Sequence, residues 1–459
     1  MTTVDIPRPP PADPRTRRPW VIPVHVAAVT LIQSTWMAVN FLLPVLARKR
    51  FDANDWQTLL ITATPVIFFS LSIFWNDHFN RRPLGRYLLT YWAWGCLPLA
   101  LMGLADNYWM LFIPHLITCI GGAGYHPASG ELLRGLYPER IRGRVYSVVW
   151  GVSMVVGSGG AYAVGQWMTR DGEAFRAVLP AAALLQLAGV GVFVWLSRTT
   201  GIAGRRAIQT RSADEPNTLA ARWKRLLAPI GHMGTVLKDD PVFARYEAAY
   251  MTYGVGWMIG YALLPILVTT GLGLNYDEIS NSTVVAYLLA MVAMIYPAGL
   301  LMDKLGAVRS TGLSFALLTV YPIGLLMATD AHDLLIVSIA YGIAHAGANV
   351  GWMLGPVSLA PSPEKVPQYV AIHATLVGVR GKLFQLIGIG LYKLSGNFTL
   401  PLLIAAAAYA WSAWQMWRLH GRMKRAQPAE RTIVTGPARK GRVSTTKSRK
   451  PAAAGETSA

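Results

Sequence analysis

The chain has 459 residues, 53% of them hydrophobic and 14% charged, with a formal net charge of +19. A soluble domain carries about 25% charged residues, so this composition excludes an ordinary globular protein. Strong positive charge would suit nucleic acid, but no base-stacking or groove-reading motif accompanies it, and no nucleic acid is expected as a partner.

Residues 1–20 are polar, Pro-rich and basic at Arg15, Arg17 and Arg18, which reads as a cytoplasmic tail. The apolar run behind them is too long for a signal-peptide core and lacks a small-residue cleavage pattern, so a retained first helix is expected. Runs near 20 apolar residues cross the hydrocarbon, and they do so as helices because lipid offers the backbone no hydrogen-bond partner. Such runs fall at 21–46, 55–75, 84–104, 108–133, 144–168 and 174–197, then at 243–270, 281–302, 308–328, 332–358, 368–395 and 398–419. The expected fold is an all-α membrane protein of twelve transmembrane helices in two pseudo-symmetric six-helix halves, 21–197 and 243–419. Between them, 198–242 reads as a cytoplasmic basic linker, with a short amphipathic helix around 218–228, and 420–459 as a disordered basic C-terminal tail. Cys96 and Cys119 sit inside apolar runs and read as small hydrophobes.

Alternate connections carry the cations: Arg81, Arg82 and Arg86; Arg140, Arg142 and Arg144; Lys304 and Arg309; Lys365. The opposite connections include 105–107, 269–281 and 329–333, all free of Lys and Arg. Basic loops stay cytoplasmic, so both termini and the linker are expected there. Arg48, Lys49 and Arg50, beyond the first span, break the pattern. The basic segments are expected to lie on anionic lipid, at about 1 kcal/mol per basic residue near the surface.

The halves repeat. Trp36-Met37 and Leu42-Leu43-Pro44 recur as Trp257-Met258 and Leu263-Leu264-Pro265 at an offset of 221. Gly122-Ala123 matches Gly347-Ala348, and Pro138-Glu139-Arg140 matches Pro363-Glu364-Lys365, both at 225. Internal symmetry of this kind builds many transporters. The charged turns repeat too: Gly299-x-x-x-Asp303-Lys304-x-Gly306, then Arg309, echoes the stretch from Asp77 through Arg81, Arg82 and Arg86.

The second turn resembles the loop signature of the major facilitator superfamily, which follows the second and eighth helices. The first copy departs from it, with Ile73 in place of the glycine, His78 in place of a basic residue and Asn80 in place of the second glycine. Gly121-Gly122-Ala123-Gly124 before Pro127, and the glycines from Gly151 to Gly165, are also similar to that family's helices. The resemblance covers roughly residues 21–419 and implies transport by alternating access. In that reading Asp77, Arg81, Arg82, Arg142, Gly299, Asp303, Lys304 and Gly306 form gating turns, Asp77 pairing with Arg134 or Arg142 and Asp303 with Lys365 or Arg309. Static, topology-setting charge is the alternative.

Polar residues inside spans are costly and so are functional candidates. In the first span Gln33, Trp36 and Asn40 share one side; in the seventh, Tyr253 and Trp257 belong to an aromatic stripe running from Tyr246 to Tyr261. The fourth and tenth spans add His126, His345, Asn349 and Trp352. For these aromatic and His residues, ordinary helix packing stays open. In the eleventh span His373 and Arg380 lie seven apart on one face, with Arg380 near mid-span. No acidic residue falls clearly at that depth, since Glu131 and Glu247 lie near span ends. That favours an anionic cargo paired bidentately with the guanidinium. It also leaves proton coupling to His126 or His373, since imidazole titrates near neutral pH.

The sequence therefore points to a monomeric secondary active transporter of a small organic, anionic solute in the bacterial inner membrane, with no cofactor and no catalytic or metal-binding residues. A multidrug or hydrophobic-compound exporter of the same fold is the alternative. A haem-binding or other membrane-embedded enzyme, using paired His residues such as His115, His126, His345 and His373, is a remote one.

Overall fold

The computed structural model describes residues 19–69, 75, 79, 82–137, 139–202, 233–362 and 365–426. Among them every regular element is a helix. The first half contains α1 (Val21–Asn40), α2 (Leu42–Phe51), α3 (Asp55–Phe69), α4 (Leu84–Gly95), α5 (Leu97–Met102), α6 (Tyr108–Gly122), α7 (Tyr125–Leu136), α8 (Glu139–Arg170) and α9 (Phe175–Thr199). The second contains α10 (Pro241–Ile266), α11 (Tyr276–Ile279), α12 (Ala286–Leu305), α13 (Ala307–Leu318), α14 (Val320–Met327), α15 (Ala331–Leu359), α16 (Val366–Ser395) and α17 (Thr399–Ala426). Single π-helical turns, Leu267–Gly271 and Ser280–Val285, extend α10 and lead α11 into α12.

Several apolar runs are broken where proline dictates. A proline removes one helical N–H and its ring clashes with the carbonyl four residues back. Breaks at Phe41, Cys96, Ala123–Gly124 and Thr319 stand two to four residues before Pro44, Pro98, Pro127 and Pro322. Helix starts are capped by side chains: Asn107, Asp240 and Asp330 each accept from two backbone N–H groups of α6, α10 and α15. Each such cap contributes about 1 kcal/mol. Eight helical stretches are long and apolar enough to cross a membrane among the described residues. The last helix runs to Ala426, seven residues past the expected end of its span at 419.

The packing repeats between halves. Helix α1 lies against α8 and α9, as α10 lies against α16 and α17. Likewise α3 meets α6 as α12 meets α15, and α4–α5 meet α9 as α13–α14 meet α17. Across the middle, α3 packs on α16, and α8 packs on α11 and α12. Asn40 donates to the Tyr261 hydroxyl (3.4 Å) and Arg48 Nε to the Thr269 hydroxyl (2.8 Å), each pair 221 residues apart. That is the repeat offset, so repeat mates touch each other, and the pseudo-two-fold axis runs between them.

The two ends of the bundle differ. The largest buried apolar cluster joins both halves near Arg48, combining Leu43, Leu46 and Phe175 with Leu263, Ile266 and Leu402. Towards the end bearing the basic turns, the halves have separate cores. One, around Tyr87, Tyr125 and Phe193, draws only on the first half; the other, around Tyr246, Phe315 and Tyr409, only on the second.

Candidate substrate site and gates

The second half holds a buried polar cluster walled by aromatic rings. Arg380, the fifteenth residue of α16, is 1% exposed. One guanidinium nitrogen donates to the Tyr250 carbonyl, and Cζ lies 5.3 Å from the Tyr253 ring centre and 5.9 Å from that of Trp257. Gly254 makes this possible, because a Cβ there would overlap the Arg380 side chain. Arg380 Nε is buried without a partner.

One face-repeat earlier, His373 Nδ1 donates to both oxygens of Glu247 at 2.9 Å, and both side chains are 3% exposed. When Glu247 is ionised the ring is the donor, because a carboxylate can only accept. His373 Nε2 is, like Arg380 Nε, buried and unpartnered. Glu247 lies near the start of its helix, as expected, yet is buried against His373, so an acid does accompany the eleventh-span cations. Glu247 and His373 stand equally deep, one in α10 and one in α16, and packing of these helices buries both. Position along one span could not show that.

His345 is held on both sides, with Nε2 2.9 Å from the Tyr253 hydroxyl and Nδ1 2.8 Å from that of Tyr287. Asn349 donates to the His345 carbonyl and faces Met291 Sδ. Trp352 lies 5.8 Å from the His373 ring. The aromatic stripe divides. Tyr246 and Tyr250 donate to the carbonyls of Gly351 and Ala348 and fill the core, whereas Trp257 is half-buried. In the first half Asn40 reaches Tyr261 across the axis, and Gln33 and Trp36 are half-buried. The side chains of His126 and Arg142 lie outside the described residues, as do Asp77, Arg81 and the 218–228 stretch. His115 Nε2 is bonded to the Ile61 carbonyl, and with both nitrogens of His345 engaged, neither offers an open ligand for haem iron.

The exceptional basic residues beyond the first span form a clasp that the sequence did not reveal. Arg48 donates to Asp55 (2.8 Å), Thr58 (3.2 Å), Thr269 (2.8 Å) and Thr270 (2.5 Å). Asp55 also pairs with Lys393 of the other half. Beside it, Arg50 and Arg176 both pair with Glu173. These guanidiniums, Arg176 first, hold the exposed Glu173 carboxyl below its ordinary pKa. Thr169 and Asp277 bond at 2.7 Å, and Ser280 donates to the Ala161 carbonyl at 2.6 Å, over a Gly165 that leaves no room for a Cβ. Arg48, Lys49 and Arg50 were the available signal; the partners of Arg48 in the other half, Thr269 and Thr270, lie 221 and 222 residues along the chain.

At the opposite end Gly306, alone between α12 and α13, has φ 78° and ψ 161°. Only glycine adopts that conformation readily, so this residue makes the tight turn. Asp303, Lys304, Arg309, Arg82 and Lys365 are exposed, Gly299 is half-buried, and Asp303 forms no ion pair among the described residues.

An all-helical bundle of repeated packing, joined at one end and carrying buried polar groups at mid-depth, is the build of a membrane transporter rather than an enzyme. The chain belongs to the Major Facilitator Superfamily, whose profile matches residues 25–378. It is 23% identical over 325 residues to Multidrug resistance protein MdtH of Baumannia cicadellinicola subsp. Homalodisca coagulata, covering 68% of this chain and 70% of that protein. It is 24% identical over 303 residues to MdtH of Sodalis glossinidius (strain morsitans), covering 63% and 67%. Among solved structures, a POT family transporter in complex with 5-aminolevulinic acid superposes with a TM-score of 0.72 at 12% identity, over 88% of this chain and 97% of the other. The peptide transporter POT in complex with sulfate gives 0.70 at 13% identity, over 89% and 96%. At such identity the structures share the fold.

Proposed function

We propose that the protein moves a small organic solute bearing an anionic group across the cytoplasmic membrane by alternating access, with both termini in the cytoplasm. The observation that carries the anionic reading is the buried, unpartnered Arg380 Nε, a donor in every state of the side chain. An unsatisfied buried donor costs about 1–3 kcal/mol, and more when charged. A carboxylate or phosphate on the cargo would accept from Arg380 Nε and recover that cost, while His373 Nε2, with Nδ1–H on Glu247, would accept from a donor on the cargo when the ring is neutral. Tyr253 and Trp257 would flank its organic body. Gln33, Trp36, Asn40, His126, Asn349 and Trp352 complete the proposed lining. The buried Glu247–His373 pair is the proposed proton carrier, taking over the role the sequence assigned to a histidine alone.

Twelve spans in two halves, 21–197 and 243–419, make up the working architecture, with 198–242 and 420–459 in the cytoplasm. The repeated packing and the touching repeat mates support it, and α3, α4–α5, α6–α7 and α17 stand where the four spans beyond the eight long apolar ones are expected. In this reading Arg48, Asp55 and Lys393, which join the two halves, seal the extracytoplasmic end. The gating turns proposed for the other end comprise Asp77, Arg81, Arg82, Arg142, Gly299, Asp303, Lys304 and Gly306; of these the described Asp303 and Lys304 are exposed. The protein acts as a monomer.

The test is a thermal-shift screen of purified protein against carboxylates, phosphates, sugars, cations and hydrophobic drugs, run beside Arg380→Ala. A ligand at 100 times its dissociation constant stabilises by about 2.7 kcal/mol. Anions alone should shift the wild type, and the variant should lose that shift. The second reading, an exporter of hydrophobic compounds, draws on the aromatic walls and on the name carried by the MdtH relatives; equal shifts of both proteins by neutral or cationic drugs would establish it over the first.

A further inference from the structure

The end of α17 carries a feature that transport does not use. This helix has 28 residues, a length of about 42 Å at 1.5 Å per residue, against a hydrocarbon layer of about 30 Å. Its last two turns therefore stand at headgroup level or beyond. Trp411, Trp414, Arg418 and Arg422 follow one another at i, i+3, i+7 and i+11 and so share one face.

The two indoles stack at 4.5 Å and are 55% and 41% exposed, and the Arg418 guanidinium sits 5.0 Å over the Trp414 ring. Arg245 comes from the adjoining start of α10, the helix packed along α17. Arg245, Arg418 and Arg422 are all exposed, and among the described residues none pairs with a carboxylate. Their mutual repulsion is felt: Arg418 first, then Arg245, pulls the Arg422 guanidinium below the usual arginine pKa. Three cations held together without an acid call for an external anion. Exposed indole faces directly below them call for a partner with hydrocarbon as well.

We propose that Arg245, Arg418 and Arg422 hold the phosphate of one anionic phospholipid, with Trp411 and Trp414 lying against its glycerol and upper acyl chains. A free phosphate would use the guanidiniums and leave the indoles idle, so the lipid is the occupant the surface fits. The site straps the start of α10 to the end of α17. Arg245 stands two residues before Glu247 in the sequence, so the lipid would steady the helix bearing the proposed proton carrier. The lipid site stands or falls separately from the cargo reading, because its test involves no cargo.

The experiment is native mass spectrometry of the purified full chain titrated with phosphatidylglycerol, phosphatidylcholine or glycerol 1-phosphate. One phosphatidylglycerol should be retained at concentrations where phosphatidylcholine is lost. The variant R245Q/R418Q/R422Q should weaken it by about 100-fold, from about 1 kcal/mol per basic residue. The variant R86Q/R144Q/R198Q removes as many exposed charges from other connections and should leave retention within a few-fold. Equal loss in both triple variants would overturn the proposal in favour of diffuse charge. Glycerol 1-phosphate binding as tightly as phosphatidylglycerol would overturn it in favour of a free anion. Should the first triple variant not fold, R418Q/R422Q, confined to the exposed end of one helix, should still weaken retention by about 30-fold.

Discussion

Replacing Arg48 by alanine should open the Arg48 end of the bundle. Two of its bonds, to Thr269 and Thr270, cross between the halves, and its pair with Asp55 holds in place the carboxylate that meets Lys393. Hydrogen bonds to charged groups contribute about 1.5–3 kcal/mol each when shielded. The Arg48 and Asp55 side chains are each 12% exposed, so the lower figure applies, and Asp55–Lys393 survives in part. The net loss is then about 2–3 kcal/mol, or roughly 30- to 150-fold in the ratio of closed to open forms. Spin labels at Gly172→Cys and Leu394→Cys would report it by dipolar distance measurement, since both positions are exposed and both native cysteines are buried. R48A should move the distance distribution to longer values. The pair T269V/T270V, which spares Asp55, should move it part of the way. A folded R48A protein with the wild-type distribution would refute the clasp, and with it the assignment of this end as the closed gate.

Three further outcomes are expected. Glu247→Gln should abolish solute uptake driven by a pH gradient in proteoliposomes while equal-pH exchange of labelled solute continues; parallel loss of both would make the His373 pair structural. Gly306→Ala forces a side chain into φ 78°, ψ 161° and should cost about 1–3 kcal/mol, read as a lowered melting temperature; an unchanged value would mean the turn relaxes freely. Glu173 has its pKa depressed by Arg176 and Arg50, so its pairing stabilises the fold above the unfolded value of about 4.3 and is lost as pH falls through the lower folded one. Glu173→Gln should therefore melt earlier than wild type at pH 7 and with it at pH 3, whereas a gap independent of pH would mean that charge is not involved.

Much of the fold was legible because membrane helices announce themselves locally. An apolar run must be helical in lipid, so the spans holding α1–α2 and α13–α14 could be placed from the sequence, while their division into two helices ahead of Pro44 and Pro322 was not anticipated. The repeat offset of 221 was legible as well, and the bonds from Asn40 to Tyr261 and from Arg48 to Thr269 give that number a physical meaning. A residue touching its own repeat mate must lie beside the symmetry axis. What the sequence could not supply was how far each helix outlasts its apolar run. Neither the start of α8 at Glu139 nor the end of α17 at Ala426 is marked by hydrophobicity; both extensions are charged turns at the edge of the apolar layer.

The polar cluster shows the limit more sharply. Arg380 was legible because a guanidinium at mid-span is costly wherever it points. Glu247 was not, because an acid six residues into a helix reads as an end-of-span charge until the neighbouring helix is known. Burial of that acid depends on α16 presenting His373 at the same depth, which is tertiary information. Once the pair is formed, its energetics change the reading of Arg380. Glu247 is hydrogen-bonded to His373 and acts on Arg380 only through space, without a direct bond. The guanidinium is left with a backbone carbonyl and two aromatic faces, none of which carries a full negative charge. The acid that seemed at first to undermine an anionic cargo is therefore compatible with the proposed one, and supplies the proposed site with a candidate proton carrier.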